Sequence, residues 1–317
     1  VKLHFAKYKR EFQRPFRYGD TVLTHREGLL FRLQQGPTVR YSEAAPLGDH
    51  SPETLAAVEA EITKLSSTGF LALEAKAPSL RFAADCLQLP EFANSVRSNA
   101  LLSAAESLGE LFEQYELLAQ EGYQTFKLKL HPQNFSLVME FLKNISGGRN
   151  VFRLDANGSL QDSHWKHFLQ IFPQLRPDLI EYIEEPLADW SATILREVPV
   201  ALAIDESFRE ERDRVHSLPI AVYILKPTTL GSHTEIQKFC ANTTKRVIFT
   251  SCLETEIGRR NLLQLLSHLK TKEACGLSVG NLFCENFLPD EALYRELPPL
   301  TPPEGAWLAQ LAWQELP

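Results

Sequence analysis

Ionisable residues recur at the ends of short apolar runs, and their spacing decides what chemistry they could do. In Phe126-Lys127-Leu128-Lys129-Leu130 a period of two puts both ammonium groups on one strand face and the apolar residues on the other. Phe152-Arg153-Leu154-Asp155-Ala156-Asn157 brings Arg153, Asp155 and Asn157 to one face in the same way. Further runs end in Ile183-Glu184-Glu185-Pro186, Ala203-Ile204-Asp205-Glu206-Ser207, Leu225-Lys226-Pro227 and Phe249-Thr250-Ser251-Cys252. One acid from each of three successive strand ends would gather hard oxygen donors of the kind that suits Mg2+, which keeps other positions for water and substrate. Lysines on the neighbouring strands would flank that metal from opposite sides. Taken singly, an Asp after a strand is more often a helix cap and a Lys near a strand end usually reaches for water. The whole set in consecutive strand ends is far harder to produce by chance.

Opposed lysines beside a metal, with no nucleophile or redox motif, suit removal of a proton next to a carboxylate. That deprotonation builds a second negative charge on the same group, and a divalent cation neutralises it as it forms. A Lys serves as base when a neighbouring cation and desolvation pull its pKa towards neutrality. Lys127, two positions from Lys129, supplies such a cation.

These side chains need strands that converge. From residue 96 onward eight strands alternate with helical patterns: Val96–Leu102, Thr125–Leu130, Val151–Asp155, Ile180–Glu184, Val200–Asp205, Ala221–Lys226, Arg246–Ser251 and Ala274–Val279. Helices are expected over Glu106–Glu121, Phe135–Lys143, Gln161–Phe172, Thr234–Cys240 and Glu256–Leu269, with only short ones after the fourth and fifth strands. Such alternation implies parallel strands, and eight of them imply an α/β fold of the TIM-type (β/α)8 class, whose active site lies at the C-terminal strand ends. Residues 96–287 span less than the roughly 250 usual for that fold, so either the barrel is compressed or the eight include one strand too many.

The preceding stretch is β-rich. Phe5–Tyr8, Thr21–Thr24, Gly28–Gln34 and Thr38–Ala44 read as an antiparallel meander with turns at Gly19-Asp20, Arg26-Glu27 and Gln35-Gly36-Pro37. Ser51 as N-cap and Pro52 at N1 would open a helix with Leu55, Val58, Ile62 and Leu65 on one face, and a second helix is expected over Ser79–Leu87. The Pro-rich tail from residue 288 to 317, with Trp307 and Trp313, is expected to pack back on this layer.

Composition narrows the function. The 317 residues are 44% hydrophobic and 23% charged, and 33 bases against 40 acids leave −7. That is ample for a core and too acidic for a broad nucleic-acid-binding face. No apolar run approaches the ~18 residues of a membrane span, and Val1-Lys2-Leu3-His4-Phe5 alternates polarity instead of forming a signal-peptide core. Five scattered cysteines without a C-x-x-C pair are the usage of reduced thiols, so a cytoplasmic location is expected and a zinc ribbon or disulfide framework is not. Phosphate-loop, dinucleotide-binding, zinc-protease and nucleophile-elbow motifs are missing. A small-molecule carboxylate is the expected partner, and neither a monomer nor a homo-oligomer is singled out.

Tyr41-Ser42-Glu43-Ala44-Ala45-Pro46, Asn99-Ala100-Leu101-Leu102, the K-x-K of strand two, Asp155-Ala156-Asn157, Glu184-Glu185-Pro186, Asp205-Glu206-Ser207 and Leu225-Lys226-Pro227 occur in this order along nearly the whole chain. In this the sequence resembles the enolase superfamily, in its muconate-lactonising-enzyme-like branch. The resemblance implies a modified (β/α)7β barrel over residues 96–287, under an α+β capping domain of residues 1–95 completed by 288–317. It further implies Asp155, Glu184 and Asp205 as ligands of Mg2+, with Mn2+ a substitute. Lys129 would be the base, Lys127 its tuning cation, and Lys226 the group that steadies the anion from the other side. The implied reaction is dehydration of a cyclohexadiene carboxylate to an aromatic product. Racemisation of N-succinylamino acids, another lyase reaction, or a barrel that binds without catalysis stand as alternatives. Arg153, Asn157, Gly231, Ser232 and Ser251 are expected substrate contacts, with helix capping an equal reading for Ser251 and the Gly231-Ser232 turn. Gln13–Asp20 and Leu47–His50 are candidate closing segments. Two departures stand out: His131-Pro132 follows Leu130 where the family often has Gly two residues after the second lysine, and Val279-Gly280-Asn281 lacks the D-x-D of dipeptide epimerases.

Overall fold

The structure is a computed structural model that describes residues 2–18, 21–90, 96–145, 147–191, 195–196, 198–208, 215–277, 283, 293–294 and 306–317. Strands β1 (Lys2–Tyr18), β2 (Thr21–Gln35) and β3 (Thr38–Ala44) form an antiparallel sheet. Helices α1 (Leu55–Ile62), α2 (Ser67–Leu71) and α3 (Pro78–Cys86) cover one face of it. Val58, Ile62, Phe70, Leu80 and Ala84 bury against Leu29, Phe31 and Leu33 there, and the rings of Phe31 and Phe70 stack at 4.5 Å. Two readings of this layer need correction. Arg26-Glu27 is no turn, because β2 runs straight through it and the buried Arg26 guanidinium donates to Pro46 O at 2.8 Å and to Ala45 O. The N-cap of α1 is Thr54, whose hydroxyl accepts from Ala57 N, while Ser51 Oγ accepts from Leu47 N. Gln13–Tyr18 belongs to β1, Leu47–His50 forms a short 3-10 turn, and Gly19-Asp20 lies outside the described residues.

The barrel begins with β4 (Val96–Arg97) and β5 (Ala100–Leu102), two short pieces where one strand was expected. It continues as α4 (Leu108–Gln120), β6 (Thr125–Lys129), α5 (Phe135–Asn144), β7 (Val151–Asp155), α6 (Asp162–Ile171), β8 (Ile180–Glu184), β9 (Leu202–Ile204), β10 (Val222–Leu225), α7 (His233–Ala241), β11 (Arg246–Phe249) and α8 (Glu256–Leu269). Seven parallel strands follow the order β5-β6-β7-β8-β9-β10-β11. The expected eighth strand is reduced, among the described residues, to two parallel bridges, Thr250↔Gly276 and Ser98↔Cys275. Hydrogen bonds from Gly276 N to Phe249 O and from Cys275 N to Arg97 O, at 2.7 and 2.8 Å, close the ring with one short segment. The rest of that segment, Val279-Gly280-Asn281 included, lies outside the described residues.

Period two explains why the barrel can carry charge inside. On β6, Phe126 and Leu128 face outward and bury completely, with Phe126 packed on Tyr115 of α4 and on Phe152 of β7, while Lys127 and Lys129 face inward. Removing a ring so placed costs about 3–5 kcal/mol. Ser107, Ser232 and Thr255 cap α4, α7 and α8 through their hydroxyls. Past the barrel, β12 (Leu293–Tyr294) pairs with β4, α9 (Ala306–Ala309) seats Trp307 against Tyr8, and β13 (Gln314–Glu315) adds to the edge of β1. No helix among the described residues is long and apolar enough to cross a membrane. Cys86, Cys240, Cys252 and Cys275 are free thiols, and Cys284 is outside the described residues.

Candidate active site

Register brings the charged strand ends to one height. Lys129 is the partner of Asp155, Asp155 of Glu184, and Glu184 of Ala203, two residues before Asp205. Lys226 follows β10 directly. Five successive strands thus deliver base, three acids and base across the barrel mouth, with the two outer lysines on opposite flanks.

Contacts sort these groups. Lys127 Nζ lies 2.8 Å from Asp155 Oδ2 and 2.9 Å from Glu184 Oε2. Lys129 Nζ lies 2.6 Å from Asp155 Oδ2 and donates to Asn157 Oδ1 at 2.7 Å. Lys226 Nζ donates to Asp205 Oδ1. Lys129 is 37% exposed against 16% for Lys127 and 12% for Lys226, so it is the ammonium that faces the open mouth. Burial alone would lower the pKa of Lys127, but Asp155 and Glu184 hold it well above the ordinary value. Burial likewise opposes the charge on Lys226, and Asp205 and Glu206 more than reverse that. Both remain cations. Asp155, although buried, is held far below the usual carboxylate range by Lys127 and Lys129. Burial and the charge of Asp155 push Glu184 well up. Burial, then Asp205, push Glu206 up to about 7.

The second acid of the Glu184-Glu185 pair has another task. Glu185 accepts from Asp205 N at 2.7 Å, Ser207 N at 3.0 Å, Ser207 Oγ at 2.7 Å and Trp190 Nε1 at 3.0 Å. Its backbone takes φ 45°, which turns it away from Glu184 and onto the end of β9. Glu184 is left facing the mouth, and Glu185 fixes the segment that presents Asp205.

The donor set suits a hard divalent cation. Glu184, Asp205 and Glu206 each offer an oxygen within 4.8 Å of the others. Glu206 therefore joins the cluster beyond the expected three acids, while Asp155 is drawn towards the lysines. Lys127 Nζ, wedged between Asp155 and Glu184, stands where positive charge is needed. Carboxylates this crowded, with Glu184 buried at their base, are what an oxygen-seeking ion relieves.

The expected substrate contacts fare differently. Asn157, at φ 44°, touches Lys129 and, at 3.4 Å, Glu206. Ser251 sits at the mouth, its N–H on Gly276 O. Ser232 is the N-cap of α7 in a capping box with Glu235, its N–H donating to Glu235 Oε2 at 2.7 Å. Gly231, at φ 106°, lets the same carboxylate come close, since a Cβ there would collide with it. Arg153 points down the barrel instead. Its guanidinium donates to Glu181 at 2.7 Å, to Ala274 O at 2.5 Å and to Asn99 at 3.3 Å, and is only 1% exposed. On the strand it shares a face with Asp155, but its long side chain reaches the opposite rim and ties the closing segment to β7.

A parallel barrel under an antiparallel lid, with carboxylates and lysines on consecutive strand ends, is the architecture of the enolase superfamily. A member of that superfamily from Listeria innocua matches with a TM-score of 0.70 at 16% identity, covering 99% of this chain and 98% of that one. The o-succinylbenzoate synthase of Thermosynechococcus elongatus, solved with Mg in its active site, matches with a TM-score of 0.76 at 24% identity over 91% of this chain and 96% of that one. No protein-family model matches the sequence. The o-succinylbenzoate synthase of Pectobacterium atrosepticum is 30% identical over 295 residues, 86% of this chain and 88% of that protein. The chain belongs to the o-succinylbenzoate synthase family.

Proposed function

We propose that this protein dehydrates 2-succinyl-6-hydroxy-2,4-cyclohexadiene-1-carboxylate to o-succinylbenzoate in menaquinone biosynthesis. The observation that carries this reading is the placement of Lys129 and Lys226 on opposite flanks of one carboxylate cluster. Asp155, Glu184 and Asp205 would hold Mg2+, with Glu206 beside them, and Mn2+, with similar oxygen preference, is expected to substitute. When bound there, the ion would supply a Lewis acid to the substrate carboxylate.

The lysines do the rest. Lys129, the exposed member of the set, takes the proton from the carbon bearing the carboxylate as an enediolate forms. Its ammonium then returns that proton to the hydroxyl on the same ring face as the C–O bond breaks. Water leaves and the ring becomes aromatic, so one group serves as base and then acid. Lys226 stays charged opposite it and stabilises the anion electrostatically, with no proton moved. Lys127 anchors Asp155 and Glu184 under the site. Asn157 orients Lys129, and Ser251 with the Gly231 turn would take up the succinyl group. The same reading divides the chain into a cap of residues 1–95 and 288–317 over a barrel of 96–287, and places the enzyme in the cytoplasm.

The test is direct. Purified protein with Mg2+ and the cyclohexadiene carboxylate should give stoichiometric o-succinylbenzoate, followed by its aromatic absorbance, with none formed in EDTA. Racemisation of N-succinylamino acids without that product would assign the site to the racemase reaction, and inactivity towards both would leave a binding protein.

A further inference from the structure

Glu254 lies just beyond the end of β11, only 3% exposed, and none of the roles above uses it. One carboxylate oxygen accepts from the Thr228 hydroxyl at 3.1 Å, and the other from Cys252 N at 2.6 Å. Thr228 is two residues past Lys226, in the 3-10 turn Pro227–Thr229. That turn also grips the lysine's own carbonyl, since Thr229 N and Thr229 Oγ1 both donate to Lys226 O, at 2.9 and 2.8 Å. Cys252 follows Ser251, and Leu253 between Cys252 and Glu254 takes φ 60°, a left-handed conformation uncommon for a Leu. One buried side chain therefore bridges the loop that presents Lys226 and the loop that presents Ser251.

The far end of this bridge is clamped by the antiparallel layer. Glu43 of β3 accepts from Thr255 N, Thr255 Oγ1, Gly258 N and Tyr8 OH, the last at 2.5 Å. Its carboxylate sits on the N-terminus of α8, where N–H groups and the helix dipole favour a negative charge. A Cβ at Gly258 would come within 2.8 Å of Glu43 Oε2, so Gly258 makes room for the clamp. Arg26 donates to Leu253 O at 3.3 Å from the same side.

We propose that Glu254 is a positioning residue for the dehydration: a strut between the loops after β10 and β11 that holds Lys226 at the height where it meets the developing anion. The proposal rests on the electrostatic role assigned to Lys226 above. A strut needs only an acceptor for Cys252 N and a polar partner for the Thr228 hydroxyl, and a glutamine offers both. Burial and the neighbouring Glu43 push the Glu254 carboxyl up to about 7, so the uncharged side chain is close to the native state of the group.

The experiment measures kcat and KM for the cyclohexadiene carboxylate in Mg2+-loaded enzyme, with thermal unfolding in parallel. Glu254→Ala and the near-isosteric Thr228→Val should each lower kcat about tenfold or more while KM moves less than about threefold, because the charge that Lys226 meets develops in the transition state. Glu254→Gln and Thr228→Ser should keep kcat within about threefold of wild type. A purely structural role would lower the unfolding temperature and leave kcat of the folded enzyme intact. If Glu254→Ala does not fold, Thr228→Val against Thr228→Ser decides the matter alone. The strut is refuted if Thr228→Val keeps wild-type kcat, or if Glu254→Gln loses as much as Glu254→Ala. Lys226→Ala in the same assay separates the two ideas. Its collapse beside intact strut variants rejects only the strut, whereas its retention of turnover rejects the role of Lys226 and the strut with it.

Discussion

Asp155 and Glu184 are direct partners in the ladder between β7 and β8, and a single ammonium, Lys127 Nζ, bridges their carboxylates at 2.8 and 2.9 Å. Two buried carboxylates in adjacent positions repel unless a cation lies between them. Lys127 supplies one charge, Lys129 pairs with Asp155 and Lys226 with Asp205, and with Glu206 beside them the acids still outnumber the lysines, which leaves room for a further cation.

Mg2+ should therefore stabilise the fold as well as enable the reaction. A ligand that binds only the folded state adds about 2.7 kcal/mol at a hundredfold excess over its Kd. Calorimetry should show the unfolding temperature rising with Mg2+ and returning in EDTA, and Asp205→Asn should abolish most of that rise. An unfolding temperature indifferent to Mg2+ in the wild-type protein would remove the metal from this cluster.

Arg153 should behave as a strut of the lower barrel. Arg153→Met keeps much of the buried stem but strips Ala274 O and Asn99 of their donor and leaves Glu181 to Arg246 alone. Losing one partner of a buried ion pair costs about 3–5 kcal/mol, and the retained stem puts this variant near the lower end. Chemical denaturation should show that loss, while KM of the folded variant stays near wild type. A raised KM without loss of stability would make Arg153 a substrate contact after all.

Glu254 gives the pH dependence of stability a definite sign. Its folded pKa, pushed from the ordinary 4.5 up to about 7 by burial and then by Glu43, means that the folded state keeps a proton which the unfolded chain releases. The stability this proton provides is complete below about pH 4.5 and lost as pH rises through about 7. Glu254→Gln has no such ionisation. Between pH 5 and pH 8 it should lose roughly 2–3 kcal/mol less stability than wild type. Urea unfolding at the two pH values checks this, and parallel losses in the two proteins would contradict it.

The charged strand ends were legible because period two fixes which residues share a face, and a strand's last residues must sit at the mouth of a parallel barrel. Lys127, Lys129, Asp155 and Glu184 needed nothing more. Reach was not legible. Arg153 shares its face with Asp155, yet a guanidinium can act a full strand length away, and its partners Glu181 and Ala274 are remote in sequence. Ser51 and Thr54 both precede the first helix and both can cap, so only the backbone decides that Thr54 does. Among the described residues the eighth strand is two bridges, Ser98↔Cys275 and Thr250↔Gly276. Glu185, Glu43 and Glu254 went unassigned since each has partners remote in sequence: backbone groups for Glu185 and Glu43, the Thr228 hydroxyl for Glu254.

The central claim is that Lys129 alone moves the proton, and Lys129→Arg tests it most directly. A guanidinium keeps the charge beside Asp155 and Asn157 but stays protonated, so it cannot accept a proton. In calorimetric titrations the variant should bind Mg2+ and o-succinylbenzoate within about fivefold of wild type, and in the absorbance assay it should turn over at least about a thousandfold more slowly, the scale of losing a positioned acid–base group. Turnover within tenfold of wild type, or loss of product binding as large as the loss of rate, would contradict the assignment and move the base elsewhere.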